Sequence, residues 1–279
     1  MQFRAILCSI VIMSFGLAGC IGNDSESSGP CDDGTVDILT YDILALSEDM
    51  VNQFTIESGY CVNFIYEDDA GSILDKMMLT KNSPVADLMI GLDNTYLQTA
   101  LANDLLEETN YVNNAGYQNI TESALEPYSG TMAVPFDMGP VCLNYDERFV
   151  DDENVSTPTS LWNLTEEEWR GKLTFPSPVT SSPGRAFLVA TIDYFENDDD
   201  TETNAFDWWQ AIKNNDAIFT SGWTESYETH YTGGYGEYTD GYIGDAHLTV
   251  SYCQSPGFEA FYAGNYTHST SIVLPKTTF

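Results

Sequence analysis

Residues 35–66, TVDILTYDILALSEDMVNQFTIESGYCVNFIY, hold one strand–helix–strand unit. Thr35-Val36-Asp37-Ile38-Leu39-Thr40-Tyr41 has the branched and apolar content of a strand. Ser47 can cap a helix over 47–58 in which Met50, Val51 and Phe54 share a face, and Gly59 can stop it. Cys61-Val62-Asn63-Phe64-Ile65-Tyr66 is a second strand. The alternation continues. Ser72 can open a short helix carrying Ile73, Leu74, Met77 and Met78. Residues 85–92 form a third strand around the apolar run Leu88-Met89-Ile90, and 94–106 are helical. Strands alternating with helices imply a parallel sheet covered on both faces. Ligands of such sheets sit beyond the carboxyl ends of the strands, and Tyr41, Asp68, Asp69 and Asp93 fall at or just after those ends.

Further along, 111–130 read as a loop leading to a crossing. Residues 140–145 form a strand entering a second α/β unit. Helical patterns surround Trp162 and Trp169 and run through 184–194 and 206–214. An acidic loop occupies 196–202. Residues 248–253 form a strand heading back. There is no internal repeat.

Before this body the chain has the pattern of an export signal. Arg4 supplies the positive charge, 5–19 are apolar or small, and Leu17-Ala18-Gly19-Cys20 matches the box that precedes a lipidated cysteine. The apolar run is shorter than the roughly 20 residues a membrane span needs. The expected organisation is a signal peptide over 1–20 with lipid on Cys20, a flexible tether over 21–33, a first lobe over 34–136, a second over 137–256, and a return toward the first lobe over 257–279.

The formal net charge is −34, from 43 acidic against 9 basic residues. Phosphate-directed nucleic-acid binding needs a basic footprint, which this chain lacks. Most of the acids read as a solvated surface. Hydrophobic residues make up 43% of the chain, so it can bury real cores and is not a disordered acidic tail. Six cysteines are present. Cys8 leaves with the signal and Cys20 is used for lipid, leaving an even number for disulfides. Cys31 and Cys61 flank the starts of strands that should be neighbours, and Cys142 and Cys253 lie on strands near the crossing, so the expected bridges are Cys31–Cys61 and Cys142–Cys253.

Enzyme signals are poor. There is no GxSxG or HExxH motif, and His230, His247 and His268 are scattered. No metal site or cofactor is expected. Asp198-Asp199-Asp200 reads as a solvated loop. Beyond the tether, Asn-x-Ser/Thr sequons occur at Asn119, Asn154, Asn163 and Asn265. The aromatic content, 17 Tyr, 14 Phe and 5 Trp, is the better clue. Aromatic faces with a nearby carboxylate suit a flat organic cation.

Six dispersed blocks carry a resemblance. They are Leu39-Thr40-Tyr41-Asp42, Gly91-Leu92-Asp93-Asn94, Val134-Pro135-Phe136-Asp137-Met138-Gly139, Thr180-Ser181-Ser182-Pro183-Gly184, 221–227 (SGWTESY) and Ser251-Tyr252-Cys253-Gln254-Ser255-Pro256. In order and approximate spacing they resemble the thiamine-binding solute receptors of ABC importers. The resemblance implies a two-lobed type II periplasmic-binding fold that closes on thiamine or its phosphate esters and delivers them to a membrane permease. The receptor would be a monomer, held by lipid on the outer face of the cytoplasmic membrane. It assigns an aromatic cleft wall to Tyr41, a ligand-contacting acid and small neighbour to Asp69 and Ala70, and a phosphate-holding turn to Ser181 and Ser182. Trp223 becomes a ligand aromatic, and Tyr252, Cys253, Gln254 and Ser255 a segment near the hinge. Ala70, Cys253 and Gln254 depart from the family pattern. Related receptors also continue past the point aligned with Val273, so the first lobe is expected to lack its C-terminal part.

Taken singly, each residue has a plainer role. Trp223 suits a core under Tyr227, Tyr41 and Tyr252 suit a sheet, Asp69 suits a helix N-terminus and Ser181 suits a helix cap. A ferric-iron or polyamine receptor on the same fold, and a secreted hydrolase using two carboxylates, are the rival readings.

Overall fold

The computed structural model describes residues 31–42, 44, 46–108, 115–128, 132–151, 154–197, 203–262, 264, 267–275 and 277. The expected signal peptide, Cys20, most of the tether, Asp198-Asp199-Asp200 and Asn265 lie outside the described residues.

The chain forms an α/β fold on two sheets, one in each lobe. The first sheet has the order β2-β1-β3, built from β1 (Gly34–Tyr41), β2 (Tyr60–Glu67) and β3 (Leu88–Met89). β1 is central and parallel to both neighbours, with Ile38 opposite Phe64 on one side and Leu88 on the other. The connections are α1 (Glu48–Ser58) and α2 (Ala70–Thr80), and α3 (Asn94–Ala102) follows β3. α1 ends where expected: Ser47 accepts the Met50 N–H, and Gly59, at φ 75°, turns the chain into β2. Only Gly adopts that left-handed angle without strain.

Three local expectations need correction. α2 begins at Ala70 and not at Ser72, with Asp69 at the cap position but making no capping bond, because its carboxylate is engaged elsewhere. β3 has two residues where eight were expected, and Leu88 is half exposed; β3 pairs with β1 alone. The stretch 111–130 is not all loop, since α4 (Ala115–Gln118) and α5 (Glu122–Leu125) form short turns there.

The first lobe buries Ile38, Leu39, Ile73, Leu74, Tyr96, Leu97 and Ala100 between β1, α2 and α3. The other face is not covered as expected. No residue of α1 is buried, and Ile56 is 84% exposed. Among the described residues, nothing shields Met50, Phe54 and Ile56.

The second sheet has the order β6-β5-β7-β4-β8, from β4 (Val141–Asp146), β5 (Leu173–Pro176), β6 (Ile218–Thr220), β7 (Leu248–Tyr252) and β8 (Ser269–Ile272). β5 is parallel to β6 and β7, while β4 runs antiparallel to β7 and β8. The return stretch 257–279 therefore contributes β8 to the edge of this sheet and, among the described residues, no strand to the first one. Its alternating Ser and Thr suit a half-exposed edge. α6 (Ser182–Asn197) and α7 (Ala205–Asn214) pack on the sheet, and Trp169, Leu173, Phe175, Phe187, Trp208, Ile212, Leu248 and Val250 form its core. α8 (Ser255–Tyr262) follows β7 directly.

Two disulfides tie these elements. Cys31 bonds Cys61 with Cα atoms 5.1 Å apart, fastening the chain before β1 to β2. Cys142 bonds Cys253 with Cα atoms 4.9 Å apart, fastening β4 to the turn after β7.

Candidate functional site

The cleft between the sheets collects tyrosines and acids. Tyr41 ends β1, and its ring lies over Gly91, where a Cβ would stand 2.3 Å from Tyr41 Cδ1. Tyr252 ends β7 and lies over Gly139 in the same way, 2.8 Å from a Cβ there. Burial, then the nearby Asp137, pushes the Tyr41 phenol up. Burial, then Asp93, Tyr41, Asp69 and Asp137, pushes Tyr252 well up. Burial with Asp93 and Asp137 does the same to Tyr128. Each of these tyrosines therefore lies within electrostatic reach of one or more of Asp69, Asp93 and Asp137. Asp93 caps α3 by accepting the Thr95 N–H through Oδ1 at 2.6 Å. Its other oxygen, Oδ2, is buried and has no hydrogen-bond partner among the described residues.

Asp69 lies at the centre of the contact between the lobes. Its Oδ2 accepts the Trp223 backbone N–H at 3.1 Å. Burial raises its carboxyl to about 6; the Trp223 N–H works against this, and Asp42 and Asp68 add to it. Trp223 precedes a π-helical turn, Glu225–His230, a form frequent at functional sites. The Trp223 ring stacks on Tyr227 with centroids 4.8 Å apart, and its indole Nε1–H donates to Ser251 Oγ at 2.8 Å. Trp223 is thus part of a buried cluster with Tyr227 and Tyr231, and it meets the first lobe through its backbone.

The other expected site residues divide. Ser181 is fully buried, and its Oγ accepts the Gly184 N–H at the start of α6. Ser182 is half-buried at the first position of that helix. Ala70 packs into the first-lobe core with Leu74, Tyr96 and Ala100. The Cys253 sulfur is used by its disulfide. Gln254 is exposed beside Gly139. Ser255 is buried and bonds Ser251 Oγ at 2.8 Å, which supports the Trp223 indole at one remove. Tyr41, Asp69 and Tyr252 thus share the cleft, while Ala70, Cys253 and Ser255 serve the framework with their side chains.

Asp93, Asp137 and Tyr128 were absent from the expected site. The two aspartates lie inside the Gly-Leu-Asp-Asn and Val-Pro-Phe-Asp blocks, and Asp93 also sits at a strand end. That position was the available signal. Nothing in the local sequence marks Tyr128. Among the described residues no group of three or more His, Cys, Asp or Glu side chains is arranged to hold a metal ion, and no described helix is long and apolar enough to cross a membrane.

A cleft walled by the ends of sheet strands from two α/β lobes is the architecture of a solute receptor. The bacterial extracellular solute-binding protein family matches residues 49–278, and the chain belongs to it. Members of this family are binding proteins of transport systems and not enzymes. Among its relatives is the thiamine-binding periplasmic protein of Salmonella typhimurium, 26% identical over 196 residues, covering 68% of this chain and 50% of the relative. The chain thus spans about half the length of that relative. A solved periplasmic thiamin binding protein superposes with a TM-score of 0.62 at 20% identity, covering 86% of this chain and 68% of that one. Iron-bound HitA from Pseudomonas aeruginosa superposes at 0.57 with 14% identity, covering 85% of this chain and 68% of that one. At these identities the superpositions speak for the fold.

Proposed function

We propose that this chain is the receptor of an ABC importer and that its solute is thiamine, free or as a phosphate ester. The observation that carries this reading is that Tyr41 and Tyr252, at the ends of strands of the two sheets, lie over Gly91 and Gly139 with Asp69, Asp93 and Asp137 within electrostatic reach. Ring faces attract an organic cation, by about 2 kcal/mol where water is excluded. The carboxylates offset its charge and accept hydrogen bonds from an exocyclic amine. Thiamine has both features in its thiazolium and aminopyrimidine rings. Asp69 is the acceptor for the amine, sharing its carboxylate with the Trp223 N–H, and Asp93 Oδ2 is a second acceptor. Ser182, at the N-terminus of the 16-residue α6, would meet the phosphate of an ester. No covalent chemistry is involved. The solute binds better to the closed arrangement and so shifts the population toward it. Lipid on Cys20 would hold a monomeric receptor beside its permease.

The thiamine-binding relatives favour this solute over ferric iron. So does the state of the tyrosines. Burial and carboxylates raise the Tyr41 and Tyr252 phenols, away from the phenolate that ferric coordination uses. Calorimetric titration with thiamine, its mono- and diphosphate, spermidine and ferric citrate tests the assignment. Saturable 1:1 heat with a thiamine compound is expected. Heat with spermidine alone, or colour with ferric ion alone, would replace it by the corresponding receptor.

A further inference from the structure

The lobes touch where each lacks a side chain. Gly71, in the first turn of α2, donates its N–H to Thr180 O at 2.9 Å. A Cβ on Gly71 would stand 2.6 Å from Thr180 Cα and 2.6 Å from Val179 O. Those are backbone atoms and cannot rotate aside. At the neighbouring contact a Cβ on Gly222 would stand 2.5 Å from Asp69 Oδ2, a side-chain atom that can turn aside only by giving up its bond from the Trp223 N–H. Tyr96 O–H adds a bond to Val179 O at 2.8 Å, and the Arg185 guanidinium lies 4.2 Å over the Tyr96 ring. The two receiving loops of the second lobe are joined by Thr180 Oγ1–H donating to Ser221 O. Residues 69–71 of the first lobe are thus seated on 179–180 and 222–223 of the second.

Neither glycine has a left-handed φ. Backbone conformation therefore does not call for glycine at either place. Inside α2 a glycine is even unfavourable compared with alanine. What both supply is the missing Cβ.

We propose that Gly71 and Gly222 are positioning residues for closure of the cleft. By removing a Cβ on each side, they let the lobes bond directly, so that protein–protein hydrogen bonds hold the closed arrangement in addition to the solute. This rests on the reading of the chain as a receptor that closes, and it is independent of the solute's identity. Rigid separation of the lobes relieves the clash that an alanine creates, so alanine variants open the cleft without harming either lobe.

The test measures distances between nitroxide labels on Asn52→Cys in α1 and Lys213→Cys in α7, attached under non-reducing conditions. Without solute, the parent should populate a short interlobe distance. Gly71→Ala and Gly222→Ala should each move that population to longer distances, with unchanged far-ultraviolet circular dichroism. Each should also weaken thiamine binding at least tenfold. Asp69→Asn keeps an amide oxygen to accept the Trp223 N–H, so it should leave the solute-free distances as they are. Should thiamine fail to bind the parent while the glycine variants still open the solute-free cleft, the solute assignment falls and the closure role stands. Unchanged distances in folded glycine variants, or a parent that is only open without solute, overturn the closure role. If the glycine variants do not fold, Tyr96→Phe decides. It retains the ring and loses the bond to Val179, and a shift to longer distances supports the proposal whereas no shift refutes it.

Discussion

At Asp69 a single carboxylate is asked to do two things. It accepts a hydrogen bond from the opposite lobe and, in the proposed function, it faces the cationic solute. Burial raises its carboxyl to about 6, with Asp42 and Asp68 adding to the effect and the Trp223 N–H opposing it. The charged form attracts the cation, so thiamine affinity should fall as pH drops through about 6. Asp69→Asn should bind thiamine more weakly at pH 8 and lose that pH dependence, as read by calorimetry from pH 5 to 8. Equal affinity and an unchanged profile would remove Asp69 from the site. Glu259 gives a parallel case for stability. Burial raises it to about 7, while Tyr227 and the Tyr235 backbone oppose this and Glu228 and Glu237 contribute. A carboxyl raised above its unfolded value of 4.5 favours the fold at low pH and ceases to do so as pH rises through about 7. Glu259→Gln should therefore stabilise the protein at pH 8 by about 1–3 kcal/mol, and by little at pH 4. Melting curves at the two pH values check the sign. The aspartates illustrate what was legible: Asp69 and Asp93 could be placed at strand ends from the alternation of elements, but the lack of a partner for Asp93 Oδ2 among the described residues exists only in three dimensions.

The elements differ in how well their own sequences describe them. α1 carries its cap and stop in Ser47 and Gly59, so both ends could be read locally. α2 could not, because Asp69 gives its carboxylate to the other lobe. β5 and β6, of four and three residues, are too short for periodicity to register, and they become strands only by pairing with each other and with β7. The Cys142–Cys253 bridge spans 111 residues, and closing a loop of that size in the unfolded chain is worth roughly 5 kcal/mol. The Cys142→Ser, Cys253→Ser double variant should therefore melt markedly lower than the parent, with β4 still pairing to β7 at low temperature. Amide exchange at 141–146 reads that pairing, and an equal melting temperature would show that β4 and β7 need no bridge.

For the whole molecule, charge is the dominant fact. A formal −34 spread over both lobes is self-repelling, and the few bases are placed where they count. Asp146 is fully buried, and the Arg148 guanidinium grips it through Nε to Oδ1 at 3.0 Å and Nη2 to Oδ2 at 2.8 Å. Counter-ions shorten the reach of the remaining repulsion, to about 10 Å at 0.1 M and about 3 Å at 1 M salt. The melting temperature should rise with sodium chloride over that range. A flat or falling curve would mean that repulsion among the acids does not limit stability. In the proposed function the same field would draw the cationic solute toward the cleft, and its association rate should fall as salt rises.

The alternation of strands and helices was enough to establish an α/β chain, because hydrophobic periodicity and turn residues act over a few neighbours and are written in order along the chain. That it is a two-lobed receptor was implied by the resemblance of the six short blocks. The roles of Asp69, Trp223 and Ser255 depended on the tertiary structure. Asp69 and the Trp223 N–H stand 154 positions apart, and no local pattern relates them. The same holds for Gly71 and Gly222, whose missing side chains matter only because the other lobe, the Val179–Thr180 backbone for Gly71 and the Asp69 carboxylate for Gly222, comes within 3 Å of where a Cβ would stand.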